Sequence, residues 1–461
     1  MKSSYKCNRL RLGKIKKKVD EMAKMSDTLN NKVIPVVMRF VNTRPITAMK
    51  NGMLYPIPFI IVGAIFLILG QFPYQPVAAY FTKIGIDDWF MQAYNGSFAI
   101  MALFAVFGIT YSWVHDSGYD GVPAGLLAIV TDIILQPNHV TTVANVLDKT
   151  KTSTNWMAEN AIDKAWLGGK GMILAIIIGM LVGWIYTWFM KKGITIKLPE
   201  QVPSNVAASF TALVPAAAII TGATVVYGLF QKLGHTTFAE WIYRIIQTPL
   251  QHASDGPFGV LLITLVPVFL WFFGVHGSTI VSGIMQPLLI SNNADNLTLY
   301  QAGKLSLDNG AHIVTQSFFE QFITVTGAGV TIGLVVYMII GAKSVQMKTL
   351  AKLEIGPGLF NINEPVLFGI PLVLNPVMVV PFILAPVVTG FSTYYAIKFG
   401  IIPPLNGVYV HWTTPPIISG FIVGGWKVML WQIFMLAVTI PIYWPFAQKY
   451  DKILVAQEKA V

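Results

Sequence analysis

Charged residues and cysteine are both scarce in this sequence. Of its 461 residues, 11% are charged and 54% are hydrophobic, whereas a soluble domain has roughly 25% charged residues. This composition excludes an ordinary cytosolic protein, and the apolar content excludes a disordered chain. The single cysteine, Cys7, excludes a disulfide scaffold and any zinc or iron–sulfur site built on several thiolates.

Several signatures of catalytic chemistry are absent as well. The sequence has no GxxxxGK[ST] phosphate loop, no HExxH zinc motif and no GxSxG nucleophile elbow. The missing phosphate loop excludes the ATPase subunit of a transporter. His115, Asp116 and Asp120 have a spacing that resembles a metal site, but no second pair of ligands accompanies them, which favours a solvated loop. We predict neither a metal nor a cofactor.

The positive charge is distributed as in a membrane protein. The net charge is +11, and the first fifty residues contain thirteen Lys or Arg against three acids. Other basic clusters lie at the ends of long apolar runs. Basic and aromatic residues are not interleaved on a soluble face, so we expect no nucleic-acid partner. The pattern is typical of a polytopic membrane protein that is anchored by its cytoplasmic loops.

Ten apolar runs are candidates for membrane crossings, which need about 17 to 25 residues each. Two of them, 122–135 and 278–290, are short. The longer runs are 53–70, 98–114, 172–190, 207–230, 258–274, 318–341, 376–397 and 421–446. Threading all ten places the N-terminus and the lysine clusters around Lys191, Lys343 and Lys449 on one side, as the positive-inside rule requires. We predict an all-α polytopic integral membrane protein with about ten transmembrane helices and both termini in the cytoplasm.

Two further apolar segments, 355–375 and 399–420, are broken by Pro, Gly and Asn. Non-helical backbone at membrane depth is tolerated only where protein buries it or where it lines a cavity. Interrupted segments of this kind indicate a transporter's binding site. We therefore predict two re-entrant segments, which approach from opposite sides of the membrane. The polar loops 136–170 and 291–316 are expected outside.

These features predict five parts of the chain. Interfacial amphipathic helices are expected at 33–50 and 236–252. The predicted parts are a basic tail with its interfacial helix (1–50), an N-terminal transmembrane half (51–235), an amphipathic connector (236–256), a C-terminal transmembrane half that binds the ligand (257–448) and a cytoplasmic tail (449–461).

Glu364 is the most informative candidate site residue. It lies in the run FNINEPVLFG, close to Asn361 and Asn363, within the first interrupted segment. Ionisable residues at membrane depth are costly and therefore usually functional. An acid among amides offers the mixture of donors and acceptors that sugar hydroxyls need. The alternative is that Glu364 binds backbone N–H groups of the broken segment, and both roles are compatible.

Histidine and aromatic residues supply the other candidates. His276, in GVHG, can bond a hydroxyl or move a proton near neutral pH, or it can cap carbonyls at a helix end. His411, Trp412 and Thr413 combine an aromatic face with polar groups, as sugar recognition requires. Trp412 and Trp271 can equally be interfacial belt residues.

The stretch 358–371, GLFNINEPVLFGIP, resembles the membrane (IIC) component of bacterial sugar phosphotransferase systems. It is most similar to the lactose, cellobiose and diacetylchitobiose branch. The stretch 196–210, IKLPEQVPSNVAASF, and the run HWTTPP at 411–416 fit the same family. The NEPVLFG run is long and specific, and the match extends over nearly the whole chain from about residue 30.

The resemblance implies a multi-pass permease in the bacterial plasma membrane, surrounded by lipid. It would move a β-linked disaccharide, of the cellobiose or diacetylchitobiose class, while a separate IIB protein, itself supplied by IIA, phosphorylates the sugar from a phosphocysteine. It implies a homodimer formed through the first five spans. Glu364 and His276 would lie near the phosphorylated hydroxyl, and Asn363 and Trp412 would line the same pocket.

A positioned base that accepts the hydroxyl proton typically contributes about 10²–10⁴-fold to such a transfer. Glu364 is the first candidate for this base and His276 the second. Two other classes remain open. One is a secondary symporter that couples sugar uptake to protons through Glu364 and His276. The other is a membrane enzyme that acts on a lipid-linked sugar.

Overall fold

The computed structural model describes residues 39, 43–70, 75–143, 155–196, 199, 210–272, 277–370, 372, 375 and 377–459. The basic tail before residue 33, half of the predicted helix at 33–50, and His276 lie outside these described residues.

The N-terminal half is built from helices joined by short turns. In chain order these are α1 (Arg44–Gly52), α2 (Ile57–Gly70), α3 (Gln75–Ile84), α4 (Ile86–Asn95), α5 (Met101–His115), α6 (Val122–Ile134), α7 (Lys164–Leu167), α8 (Met172–Lys192) and α9 (Leu213–Gly234). Short 3₁₀ turns lie at Phe98–Ile100 and Gly169–Gly171.

The amphipathic connector and the C-terminal half follow. The connector holds α10 (Phe238–Ile242), a π turn (Tyr243–Gln247) and α11 (Thr248–Ser254). The later helices are α12 (Pro257–Phe272), α13 (Gly277–Gln301), α14 (Gln316–Phe318) with the π turn Phe319–Ile323, α15 (Ile332–Ile340), α16 (Val345–Gly358), α17 (Glu364–Gly369), α18 (Val379–Lys398) and α19 (Ile418–Glu458). A 3₁₀ turn lies at Leu307–Asn309.

The described part is mostly helical, as predicted, with one departure. Strands β1 (His139–Val143) and β2 (Asn155–Glu159) form an antiparallel pair inside the predicted loop 136–170. His139 pairs with Glu159 and Val143 with Asn155. The sequence HVTTV is rich in β-branched residues, which favour strands.

Five helical stretches of the described chain are long and apolar enough to cross a membrane. They are Ile86–His115, Gly169–Lys192, Leu213–Gly234, Val379–Lys398 and Ile418–Glu458. The number becomes seven if two bent pairs, with angles of 42° and 73°, each count as one span. The described residues therefore support a multi-pass protein, and the full count of about ten crossings stays a prediction.

The expectation of one continuous helix over 318–341 is wrong. Thr326, Gly327, Gly329 and Val330 all have positive φ, at 59°, 87°, 84° and 49°. Left-handed backbone cannot continue a right-handed helix, so the run is split between the π turn after α14 and the start of α15. A Cβ on Gly327 would overlap the amide of Asn363, so this close approach requires glycine.

The expectation of a polar loop from residue 291 onward is also wrong at its start. α13 continues to Gln301, and its asparagines Asn292, Asn293 and Asn296 are fully buried. Their polarity reflects internal hydrogen bonds. The Asn293 amide donates to the carbonyl of Gly407 at 2.6 Å, and the Asn296 amide donates to that of Leu405 at 2.9 Å.

Both predicted interruptions are present. α16 ends at Gly358 and α17 begins at Glu364, and no helix lies between Lys398 and Ile418. The approach of these segments from opposite membrane sides stays a prediction.

The buried apolar side chains form two clusters. The larger one joins the N-terminal helices to the connector, α13 and the non-helical segment 402–410. The smaller one joins α12 to α15–α19. Residues of both clusters lie close together in the stretch 318–330, which begins at the end of α14.

His312 connects three elements in the polar segment that follows α13, outside the apolar helices. Its Nδ1 lies 3.1 Å from the Asp255 carboxylate, between α11 and α12, and its Nε2 lies 3.4 Å from the Asp295 carboxylate of α13. Asp255 also accepts the backbone N–H groups of Ile313 and Val314. Burial alone would lower the pKa of His312, but its hydrogen bonds to the two carboxylates and their charges raise it to about 9.

The pKa of His312 is raised from 6.5 in the folded protein, so its protonated form stabilises the fold. This contribution to stability is complete below about pH 6.5 and is lost as the pH rises through about 9. The contribution of protonated His312 to the free energy of unfolding is at most roughly 3 kcal/mol, and screening by solvent reduces it. We expect His312→Gln to lower the melting temperature in detergent strongly at pH 6 and little at pH 10. The exposed His252 supplies the control variant His252→Gln. An equal loss for His312→Gln at both pH values would contradict this prediction.

Glu354 is a buried acid on α16, a helix that is not among the membrane-crossing candidates. Its side chain is 1% exposed, and neither carboxylate oxygen has a hydrogen-bond partner among the described residues. Burial, and then the nearby charge of Glu364, raise the pKa of Glu354 to about 7. The folded protein therefore resists ionisation of this group.

An acid whose pKa is raised on folding costs stability once the unfolded chain ionises it, above about pH 4.5. We expect Glu354→Gln to raise the free energy of unfolding at pH 8 by up to roughly 3 kcal/mol, and the melting temperature with it. Near pH 4.5 we expect the melting temperature to be unchanged. Glu159→Gln, at an exposed acid, is the control. Destabilisation by Glu354→Gln at pH 8 would show that the carboxylate makes a favourable contact.

Candidate functional site

A cavity of about 410 Å³ lies where the two buried clusters meet. This is within the range of small-molecule sites, roughly 300–1,000 Å³. Lys50 of α1 and, from the predicted N-terminal half, Met53, Leu54 and Ile57 contribute to its wall. The rest of the wall comes from α12, α13, α14 and its π turn, the stretch 324–328 that follows the turn, and the two interrupted segments. The cavity is therefore shared between the two predicted halves.

Five of the eight residues singled out from the sequence line this cavity. They are Trp271, Asn361, Asn363, His411 and Trp412. They come from three separate stretches of the chain, which the fold brings together. Their roles in binding a ligand stay predictions.

Asn361 holds the two interrupted segments together. It has a φ of 62°, in the left-handed region that asparagine tolerates better than most residues. Its Oδ1 accepts the N–H of Thr326 at 2.7 Å. Its Nδ2 donates to the carbonyls of Trp412 at 2.6 Å and Thr414 at 2.8 Å. These bonds occupy both ends of the amide, so Asn361 shapes the cavity wall through the backbone that it binds.

Asn363 and His411 are held in a similar way. Asn363 Nδ2 donates to the carbonyl of Ala328 at 2.9 Å and to the hydroxyl of Thr331 at 2.8 Å. His411 Nδ1 lies 2.8 Å from the hydroxyl oxygen of Thr413. Thr413 is not among the residues that line the cavity, and its contact orients the imidazole, which does line it.

The two candidate bases are placed differently. Glu364 is the first residue of α17, with an exposed side chain, and it does not line the cavity, although its neighbour Asn363 does. The alternative, that Glu364 binds backbone N–H groups of the broken segment, stays a prediction. His276 lies outside the described residues.

The sequence analysis missed two groups of polar residues in the wall. Glu320 lines the cavity with a side chain that is 6% exposed, and Gln316 lies beside it. Glu320 is an acid inside a long apolar run, which was a signal available from the sequence. The second group is Ser278, Ser282 and Gln286, which recur every four residues and so share one face of α13.

The chemical character of the wall suits a polyhydroxylated ligand. The indole rings of Trp271 and Trp412 offer apolar faces, while amides, hydroxyls and one carboxylate offer hydrogen bonds. The lysine and the acid among the described lining residues are Lys50, in α1, and Glu320, in the π turn after α14. No group of three potential metal ligands occurs in the described part of the chain.

Comparison with known proteins identifies the family. Residues 50–386 match the family described as phosphotransferase system, EIIC. The chain is 34% identical over 436 residues to the lichenan permease IIC component of Bacillus subtilis, covering 94% of each chain. It is 33% identical to the cellobiose-specific EIIC component of Geobacillus stearothermophilus, covering 94% of this chain and 95% of the relative.

A solved structure agrees with these sequence matches. The crystal structure of ChbC, the IIC component from the N,N'-diacetylchitobiose-specific phosphotransferase system, superposes with a TM-score of 0.86 and 32% identity. The alignment covers 94% of this chain and 99% of ChbC. EIIC components bind sugar and work with IIA and IIB partners. The resemblance drawn from residues 358–371 is thereby confirmed: this chain belongs to the EIIC family of membrane-embedded sugar permeases of the phosphotransferase system.

Proposed function

We propose that this permease carries a β-linked disaccharide of the cellobiose or diacetylchitobiose class across the plasma membrane, while a separate phosphorylated IIB protein phosphorylates it. The observation that carries this proposal is the cavity, whose wall combines two tryptophan rings with amide, hydroxyl and carboxyl groups. The relatives named for lichenan, cellobiose and N,N'-diacetylchitobiose support the sugar class.

The origin of the cavity wall supports alternating access. Residues of α1 and the following turn face the cavity from the N-terminal half, and the other lining residues belong to the C-terminal half. A movement of one half (51–235) against the other (257–448) would open the cavity to each side of the membrane in turn. About ten crossings, two re-entrant segments and cytoplasmic termini are part of this proposal.

A homodimer through the N-terminal half completes the proposed assembly. Trp184 and Trp188 on α8 and Leu229 and Leu233 on α9 have exposed side chains. A second copy or lipid would cover such an apolar surface.

Phosphoryl transfer requires that the sugar oxygen bonds to phosphorus as the bond from phosphorus to the IIB cysteine sulfur breaks. The hydroxyl proton passes to a base, for which we propose Glu364, with His276 as the second candidate. Two observations support Glu364. It is exposed, so that a soluble donor can reach it, and it directly follows Asn363 in the cavity wall. Motion of the sugar-holding half would bring the hydroxyl to it.

Substitution of the proposed base should separate sugar binding from chemistry. We expect Glu364→Gln to lower the rate of sugar phosphorylation by phospho-IIB about 10²–10⁴-fold and to preserve sugar affinity. Phosphorylation is measured in single-turnover reactions, and binding by calorimetry without the donor. The exposed acid Glu159 supplies the control variant Glu159→Gln. Equal phosphorylation by wild type and Glu364→Gln would refute the assignment.

The function itself is tested by uptake into oriented vesicles. Labelled cellobiose, diacetylchitobiose and lactose are offered with and without phosphorylated cognate IIB inside. We expect sugar phosphate to accumulate only with phospho-IIB, and the accumulated sugar identifies the substrate. Accumulation of free sugar that needs only a proton gradient would instead establish a symporter.

A further inference from the structure

Glu320 is a buried acid for which the proposed transfer chemistry has no use. It lies in the π turn after α14, and ionisable groups so deeply buried are costly unless they are bound. Its Oε1 accepts a hydrogen bond from Nε2 of Gln316 at 2.7 Å. Its Oε2 is buried and has no partner among the described residues, and the same holds for Oε1 of Gln316. Both residues line the cavity, and these two oxygens are buried without a hydrogen-bond partner among the described residues.

The backbone around these acceptors is firmly held. Ser317 donates its hydroxyl to Asn293 at 2.9 Å. On the other side of Glu320, the side-chain amide of Gln321 donates to the backbone carbonyl of Val410 at 3.3 Å. The backbone carbonyl of Gln321 accepts a hydrogen bond from the side-chain amide of Gln432 at 3.0 Å. π turns of this kind are frequent at functional sites. The positions of the free acceptors are therefore set before any ligand arrives, which favours selective binding.

The chemistry of the two atoms defines what can occupy them. Gln316 Oε1 is an acceptor, and Glu320 Oε2 is an acceptor when the carboxyl is ionised, so a ligand that binds the ionised pair presents two donors. Gln316 and Glu320 are four residues apart and bonded to each other, so the two donors must come from one small region of the ligand. Neighbouring hydroxyls of a sugar meet this requirement, as does an acetamido N–H beside a hydroxyl.

We propose that Glu320 and Gln316 form a specificity subsite that reads two adjacent hydrogen-bond donors of the transported sugar. This inference rests on the proposed function, because it takes the ligand of the cavity to be a sugar. A sugar that lacks one of these donors leaves a buried acceptor unpaired. Such a loss costs about 1–3 kcal/mol, or about 5- to 150-fold in affinity.

The direct test measures binding of labelled cellobiose to the full-length protein in detergent, without a phosphoryl donor. In Glu320→Gln, an NH₂ group takes the place of one carboxyl oxygen, either Oε2, which has no partner among the described residues, or Oε1, which is bonded to Gln316. We expect it to weaken binding at least about 10-fold. The double variant Gln316→Glu/Glu320→Gln restores one acid and one amide in reversed order, and we expect it to recover part of the affinity.

The chain provides a matched control in α6. Asp132 Oδ2 accepts from Nε2 of Gln136 at 2.8 Å, and its Oδ1 is buried without a partner among the described residues. The pair repeats the acid–amide arrangement but does not line the cavity. We expect Asp132→Asn to leave cellobiose affinity unchanged. Melting temperature and gel filtration report on folding of each variant.

Deoxy analogues of cellobiose show whether the subsite reads particular hydroxyls. In the wild type, we expect removal of one or two adjacent hydroxyls to weaken binding strongly. In Glu320→Gln, removal of the same hydroxyls should cost little more, because their acceptor is already lost. Equal losses in both proteins would overturn the proposal, and so would unchanged cellobiose affinity in a folded Glu320→Gln variant. If Glu320→Gln does not fold, the wild type remains decisive, because equal losses for every deoxy position would overturn the subsite.

The outcomes separate this inference from the proposed function. If the wild type binds cellobiose through Glu320 but phospho-IIB does not phosphorylate the bound sugar, the subsite is upheld and the transfer function is refuted. If the wild type supports phosphorylation of the sugar and the Glu320→Gln variant binds cellobiose normally, the function is upheld and the subsite is overturned. A wild type that binds neither cellobiose nor diacetylchitobiose overturns both.

Discussion

The site depends on amide side chains that bind non-helical backbone inside the apolar part of the protein. Broken backbone at membrane depth has N–H and C=O groups that water cannot reach, and each unpaired group is costly. Asn361 binds the segment 412–414, and Asn293 and Asn296 bind the carbonyls of 405–407. Gln432 accepts the N–H groups of Ile417 and Gly420 where α19 begins. Without these bonds the interrupted segments could not enclose a cavity.

This constraint explains which parts of the site could be predicted from sequence. Proline, glycine and asparagine within apolar segments are visible in the sequence, and they led directly to Asn361, Asn363, His411 and Trp412 in the wall. A residue's partner is not visible in the same way. Asn361 lines the cavity, and both ends of its amide bind backbone, which the sequence did not indicate. Its contact with a ligand stays a prediction.

The errors have the same origin. The buried asparagines of α13 were interpreted as a solvated loop, because polarity alone does not distinguish water from a buried carbonyl as the partner. The run 318–341 was interpreted as one helix, because its composition is apolar throughout and positive φ at Thr326 and Val330 is uncommon outside glycine. That interpretation concealed Glu320, since an acid within an assumed span was not placed beside a cavity. The short strands β1 and β2 escaped prediction because a transmembrane pattern dominates the composition.

The distribution of these bonds also bears on transport. The amides that bind the interrupted segments join α13, the turn after α14, the segment 402–417 and α19, all in the C-terminal half. They make this part of the cavity wall a single hydrogen-bonded unit. The contribution of the N-terminal half is limited to α1 and the residues just after it, with apolar contacts and the flexible side chain of Lys50. Apolar surfaces can slide without leaving hydrogen bonds unpaired, whereas the bonded unit cannot be divided at similar cost. For the alternating access that we propose, the boundary between the predicted halves is therefore the place where the cavity would open, and a bound sugar would move with the C-terminal half, which supplies most of the cavity wall.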